Sequence, residues 1–247
     1  MNDGPVVGVV GAETEAAVAA VEAAGGRPAT GGATALVGEV DFLVAVGESA
    51  LFAVARASPT VPVLPVAAGR GVRSVPHEDI AAALDALVAG DFERQSHTVA
   101  SVTVADSTRA RVLYDCMLTS AVPAEISEFS VHAGDERVAR FRADGVVVAT
   151  PAGSSGYARA AGGPVVAAGT DAAVVVPVAP FATDPDHWVV PATGVRLTVE
   201  RDETAVNLVA DDRLVGRVTP QEPVRVRPSG AIDVAVVGAS RSSVPPA

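Results

Sequence analysis

Asp144–Val166 reads DGVVVATPAGSSGYARAAGGPVV. An acid and a glycine lead into four small apolar residues, Val146–Ala149, which read as a buried strand. A polar turn follows at Pro151-Ala152-Gly153-Ser154-Ser155, then a short Ala-rich segment able to start a helix. Gly162-Gly163-Pro164 breaks it. Strand, glycine turn and helix start is where α/β proteins hold ligands, because the first amides of a helix have no partner within it. Thr150, Ser154 and Ser155 crowd three hydroxyls into that turn. The same letters also describe an ordinary Gly/Ser loop capped by serine, and local pattern leaves both readings open.

The chain on the N-terminal side reads as repeated strand–helix units. Pro5–Val10, Asp41–Val46 and Pro62–Val66 are short β-rich apolar runs. Glu13–Ala24, a helix starting at Ala50, and His77–Ala89 alternate with them. Gly25-Gly26 and Gly90 act as stops. Pro28–Gly38 is ambiguous. The turn after the first strand carries a lone Gly11 rather than a dinucleotide-binding glycine motif. Repeated units of this kind predict a parallel, Rossmann-like sheet with ligands at the carboxyl ends of its strands.

Beyond Asp91 the pattern alternates with period two. It predicts strands at Thr98–Ala105, Ala110–Leu118, Glu125–His132, Arg137–Arg142, Ala172–Val178, Val195–Glu200, Ala205–Ala210, Leu214–Val218, Val224–Pro228 and Ile232–Val237. The expected architecture is an α/β domain over residues 1–93, followed by an all-β, sandwich-like domain over 94–247. The tail from Gly238 reads as a polar, Pro-rich end.

Composition narrows the functions. With 18 arginines, no lysine and 29 acids, the formal net charge is −11. Such a surface repels nucleic acid and anionic membranes over most of its area, yet allows a local basic pocket for a phosphorylated small molecule. Without lysine there is no Schiff-base chemistry and no Walker-type phosphate lysine. Acid excess without lysine fits a high-salt cytoplasm, or equally the base composition of a genome. The single Cys116 excludes an internal disulfide and reads as core filler. No three residues have metal-ligand spacing. No signal peptide or membrane span is read, so a cytoplasmic protein is expected.

Single residues keep two readings. Glu48, in a strand-to-helix turn, is an exposed helix-start acid or a carboxylate that meets a substrate hydroxyl. Asp144 is a turn acid or a ribose or amide ligand. Arg70, between two glycines, is a surface arginine or a phosphate contact. Asp211-Asp212-Arg213 reads as a plain hairpin turn. His187-Trp188 is the most prominent aromatic spot in a chain with 4% aromatic residues.

Asp144-Gly145, Thr150-Pro151-Ala152-Gly153-Ser154-Ser155-Gly156-Tyr157 and Gly162-Gly163-Pro164 together resemble the diagnostic segment of the NAD kinase (ATP-NAD kinase) family. There the order is Asp-Gly, a strand, Thr-Pro-Thr-Gly-Ser-Thr-Ala-Tyr, then Gly-Gly-Pro. The resemblance extends from Asp41 to about Val237. It implies an NAD kinase-like fold and NAD bound between the two domains. It also implies ATP as phosphate donor, Mg2+ as phosphate counter-ion, and a homo-oligomer, dimer or tetramer. The family's Gly-Gly-Asp-Gly-Thr falls on Val46-Gly47-Glu48-Ser49-Ala50, which would make Glu48 the catalytic carboxylate. Its loop asparagine falls on Ala67, with Gly69 kept. Its Asn-Glu pair falls on Tyr114-Asp115, its Asp-Gly-Gln turn on Asp211-Asp212-Arg213, and a later histidine on Phe181.

The resemblance implies that Gly47, Ser49, Ala50, Gly69 and Arg70 meet phosphate. It implies that Tyr114, Asp115, Asp144, Thr150, Gly153, Ser154, Ser155, Tyr157 and Asp211 form the nucleotide site. The expected function is phosphorylation of the 2′-hydroxyl of the adenosine ribose of NAD. A catalytically inactive nucleotide-binding homologue is the alternative, because several catalytic letters are rewritten.

Overall fold

A computed structural model describes residues 4–122, 125–182, 185–201 and 205–241. The chain divides into two compact units, Met1–His97 with Ala231–Ala247, and Thr98–Gly230. The boundary expected at residue 93 falls at the start of a long strand, and the final strand returns to the first unit. Residues 242–247 of the expected polar tail lie outside the described residues.

The first unit is built from β1 (Val6–Gly11), α1 (Glu15–Ala23), β2 (Arg27–Thr30), α2 (Ala33–Leu36), β3 (Phe42–Val46), α3 (Glu48–Ala57), β4 (Val63–Val66) and α4 (Ile80–Ala89). β2, β1, β3 and β4 lie side by side, all parallel. Val-rich runs buried on both faces suit such a sheet. One face packs against α1 and α4 through Val7, Val9, Val44 and Leu64, facing Ala17, Val21, Leu84 and Leu87. α3 packs on β1 and β3. The ambiguous Pro28–Gly38 region resolves into an edge strand and a single helical turn. Its Gly and Pro content hid both.

The second unit contains the rest of β5 (Glu93–Val104), then β6 (Ser107–Val112), β7 (Asp115–Ser120), β8 (Ser127–Ala133), β9 (Glu136–Ala149), α5 (Tyr157–Ala160), β10 (Ala172–Pro180), β11 (Trp188–Pro191), β12 (Val195–Val199), β13 (Val206–Ala210) and β14 (Arg213–Val218). The first part of β15 (Val224–Val236) completes it. Pairing within this unit is antiparallel wherever a register is defined. Its core joins Val102, Val112, Leu118, Phe129, Val131, Val148, Leu197 and Leu208. From Ala231 on, β15 belongs to the first unit, where Val234 pairs in parallel with Val63 of β4.

Three strand readings change. Arg137–Arg142 and Val146–Ala149 are one strand, β9, so Asp144-Gly145 is not a turn. Gly145 is there because β7 passes close: a Cβ on it would sit 2.5 Å from the Leu118 carbonyl oxygen. Ala110–Leu118 is instead two strands, broken at Leu113-Tyr114. Val224–Pro228 and Ile232–Val237 belong to the continuous β15. Trp188 opens β11 and stacks on Phe141 at 5.7 Å between ring centroids, so the aromatic spot is packing.

His97 on β5 is 3% exposed, and its Nε2 has no hydrogen-bond partner among the described residues. Burial pushes its pKa down to about 4 from an ordinary 6.5. The unfolded chain therefore binds the proton first as pH falls. His97 gives full stability above pH 6.5 and withdraws it progressively towards pH 4. His97→Gln is expected to remove about 2 kcal/mol of the stability lost between pH 6.5 and 5. Urea midpoints of both proteins at the two pH values measure it.

Candidate functional site

The break between β6 and β7 is the centre of the second unit's candidate site. Leu113, Tyr114 and Asp115 form a corner clasped from two sides. On one side the Asp211 carboxylate accepts three backbone amides: Leu113 at 3.0 Å, Tyr114 at 2.8 Å and Asp115 at 3.2 Å. On the other, Thr150 takes the carbonyls. Its hydroxyl donates to Leu113 O at 2.6 Å, and its amide donates to Tyr114 O at 2.8 Å. The same hydroxyl accepts the Gly153 amide at 3.2 Å.

Asp211 is held at φ 49°, a left-handed conformation that Asp tolerates better than most residues. The Asp211-Asp212 turn is therefore more than a hairpin turn, since its acid carries the corner. Pattern could not reveal this, because the partners are about a hundred residues upstream.

The turn after β9 is tightly built. Gly153 passes directly over the corner: a Cβ there would sit 2.0 Å from Tyr114 O. Gly153→Ala is expected to cost about 2–3 kcal/mol, because backbone, not a flexible side chain, must move; thermal melting checks it. Ser154 is fully buried. Its hydroxyl donates to Pro151 O at 2.7 Å and accepts the Val166 amide at 2.9 Å. It thus ties the turn of the Asp144–Val166 stretch to its end.

α5 seats Ala158 against Val147, Ala149, Val174 and Val176. Gly162 at φ 97° ends it, and Gly163 fits a position where a Cβ would meet Val176 at 2.5 Å. A Cβ on Gly162 would meet His187 at 3.2 Å, a neighbour the sequence did not pair with it.

The expected site residues of this unit fall into two groups. Thr150, Gly153, Ser154 and Asp211 shape the loop through bonds within the chain, and Tyr114 is buried in it. Asp115, Asp144 and Ser155 are half-buried, the Ser155 hydroxyl donating to Ala152 O at 3.4 Å, and Tyr157 is 48% exposed at the start of α5. Cys116 beside the corner is fully buried. Burial, then the charges of Asp115 and Asp211, push its thiol far above the usual range, so it serves packing rather than nucleophilic chemistry.

The first unit supplies a second group. Gly47, between β3 and α3, has φ 90° and ψ 158°, a conformation reserved for glycine. Its amide donates to Val66 O at 2.8 Å. Ser49, where the family has glycine, is an exposed residue in the first turn of α3 with no left-handed backbone. A side chain there costs no backbone strain. Ala50 is buried.

The Glu48 carboxylate lies over Gly69: a Cβ on Gly69 would sit 2.4 Å from Glu48 Oε1. Gly69, at φ 77°, is therefore the residue that lets the acid lie there. Its loop is pinned by Ala67 N to Val75 O at 2.8 Å and by Ala68 N to Ser74 Oγ at 3.0 Å. Arg70 is exposed in the same loop. No group of three or more His, Cys, Asp or Glu that could hold a metal occurs among the described residues, and none of their helices is long and apolar enough to cross a membrane.

The family profile described as the ATP-NAD kinase C-terminal domain matches residues 114–236, from the clasped corner to the end of β15. The NAD kinase of Symbiobacterium thermophilum is 33% identical over 199 residues, 76% of this chain and 70% of that protein. The NAD kinase of Methanosarcina mazei is 43% identical over 113 residues, 44% of this chain. That match spans 38% of the methanogen protein, about two-fifths of its length. The crystal structure of yeast NADH kinase complexed with NADH superposes with a TM-score of 0.82 at 17% identity, over 97% of this chain and 85% of that one. At that identity the likeness is one of fold.

Proposed function

This chain belongs to the NAD kinase family, and from that membership we propose that it phosphorylates the 2′-hydroxyl of the adenosine ribose of NAD with ATP, giving NADP. The observation that carries the reading is the Glu48 carboxylate seated over Gly69 at the start of α3. The family's carboxylate position is kept, and the Gly-to-Ser change beside it costs no backbone strain.

In this reading the second unit holds the acceptor nucleotide. Tyr157 offers an exposed ring, and Ser155, Asp115 and Asp144 offer polar contacts. Thr150, Gly153, Ser154 and Asp211 fix the loop that presents them. In the first unit, the amides of Ser49 and Ala50 lie in the first turn of α3, where backbone donors lack partners within the helix and suit phosphate oxygens. Gly47 lets the chain turn into that helix, and Arg70 adds positive charge.

The bond formed joins the ribose 2′-oxygen to the γ-phosphorus, and the bond broken joins that phosphorus to the β–γ bridging oxygen. ADP leaves, and the hydroxyl proton passes to Glu48. Magnesium, when bound with the phosphates, would neutralise their charge, leaving Glu48 to take the proton.

One observation favours the alternative, an inactive nucleotide-binding homologue. Ala67 sits at φ 49°, where the family has asparagine. Alanine is held there in a left-handed backbone that asparagine adopts more readily. Ala67→Asn is expected to stabilise the chain by about 0.5–1 kcal/mol, and to raise turnover if the missing amide limits it. Chemical unfolding and initial rates measure the two effects. We propose further that the protein is cytoplasmic and works as a dimer or tetramer. An assay with NAD, ATP and magnesium in high salt, coupled to an NADP-specific dehydrogenase, tests the function. NADP above the blank supports it, and none at high enzyme with NAD still binding supports the alternative.

A further inference from the structure

Register places four basic side chains in one row across neighbouring strands of the second unit. Arg137 on β9 is opposite His132 on β8, His132 is opposite Arg196 on β12, and Arg196 is opposite Arg225 on β15. At about 4.8 Å between strands the row spans about 14 Å. Val131, Val195, Leu197, Val224 and Val226 point into the core, so alternation puts His132, Arg196, Arg225 and Arg227 on the opposite face.

Like charges directly opposite one another on paired strands destabilise a sheet. Elsewhere on the same unit such charge is neutralised: Glu128 accepts Arg140 at 3.0 Å and 3.1 Å and Arg201 at 2.8 Å. Along the row, Arg225 reaches only Asp106, whose side chain is 91% exposed, at 3.0 Å. Arg196 and Arg227 make no ion pair among the described residues. Burial, then the charges of Arg196 and Arg137, lower the pKa of His132, while Glu200 acts the other way.

The row lines a hollow. Asp135, Thr193, Gly194, Arg196, Arg225 and Arg227 bound a space of about 280 Å³. Arg225 and Arg227 continue into a second hollow with Ser101, Thr103 and Asp106. Gly194, at φ 153°, keeps the wall open where a Cβ would press on Arg227 at 3.2 Å.

We propose that this groove binds a small multivalent oxyanion, with Arg196, Arg225 and Arg227 as its cationic contacts and Thr193 and Thr103 as hydroxyl donors. Three guanidinium groups face two carboxylates here, Asp135 and Asp106, and the excess positive charge, in a chain of net charge −11, favours an anionic ligand. Guanidinium forks match phosphate and carboxylate oxygens alike. None of these residues belongs to the Asp144–Val166 stretch or to its clasp; Arg227 also borders a hollow with Thr150 and Pro151, so the variants below leave it in place.

The test is calorimetry of the full chain with tripolyphosphate and, separately, citrate, at low ionic strength. The variants are Arg196→Gln and the double variant R196Q/R225Q, and melting is recorded without anion. The expected result is saturable binding that weakens at least tenfold in the double variant. NAD affinity should be unchanged, and the ligand-free melting temperature of Arg196→Gln equal to or above that of the unaltered chain. Loss of both anions identifies oxyanion charge as the determinant; loss of tripolyphosphate alone identifies a linear phosphate chain. Absence of saturable binding overturns the proposal, as does binding unchanged in R196Q/R225Q.

Discussion

Replacing Glu48 by Gln is expected to lower NADP formation about 10²–10⁴-fold, the usual contribution of a positioned acid–base group. The amide keeps the size of the side chain and its place over Gly69 but cannot take a proton. NAD affinity should stay within a few-fold, because the acceptor contacts proposed for Ser155, Tyr157, Asp115 and Asp144 lie in the other unit. Initial rates with titrated NAD separate the two effects: kcat falls and KM holds. Equal turnover in both proteins would remove Glu48 from the chemistry. Glu48 carries one methylene more than the family's aspartate, and Gly69 is what accommodates its reach. Glu48→Asp is thus a second informative variant, expected to retain part of the rate that Gln loses.

The second large effect belongs to Asp211. Its carboxylate accepts three backbone amides at once, and hydrogen bonds to an ionised acceptor are stronger than neutral ones. Asp211→Ala leaves all three donors without a protein acceptor, at an expected cost of about 3 kcal/mol. Asp211→Asn should cost less, since one oxygen remains, while its NH2 faces another donor. Urea unfolding measures both. Because the clasp holds Leu113–Asp115 against Thr150 and Gly153, NAD affinity should fall along with stability. A variant with unaltered stability would show that the corner holds itself.

Much of the fold was legible from pattern. Valine runs separated by alanine-rich helices gave the parallel sheet, and period-two alternation gave the β-rich unit. What failed, failed mostly where a partner distant in sequence decides the local structure. Gly145 reads as a turn, but it serves a close strand approach inside β9. Leu113-Tyr114 reads as strand interior, yet the chain breaks there because Asp211 and Thr150 supply the bonds that a sheet neighbour would. β15 crosses from one unit to the other through Pro228 and Gly230, letters that usually punctuate. In the candidate site, ordered motifs located the loop, but roles inside it depend on bonds between distant residues. Thr150 and Ser154 look like ligand hydroxyls in sequence; in the fold both are engaged with backbone. The groove of arginines left no motif at all, because cross-strand register alone brings Arg137, His132, Arg196 and Arg225 into a row.

The measurement that bears most directly on the proposed reaction is transfer of label from [γ-32P]ATP to NAD, with the product resolved by chromatography and its phosphate position assigned by NMR. The account predicts labelled NADP carrying the phosphate on the 2′-oxygen of the adenosine ribose, formed by the unaltered chain and not by Glu48→Gln. Label remaining wholly in ATP and its hydrolysis products, with NAD bound and unmodified, would contradict it.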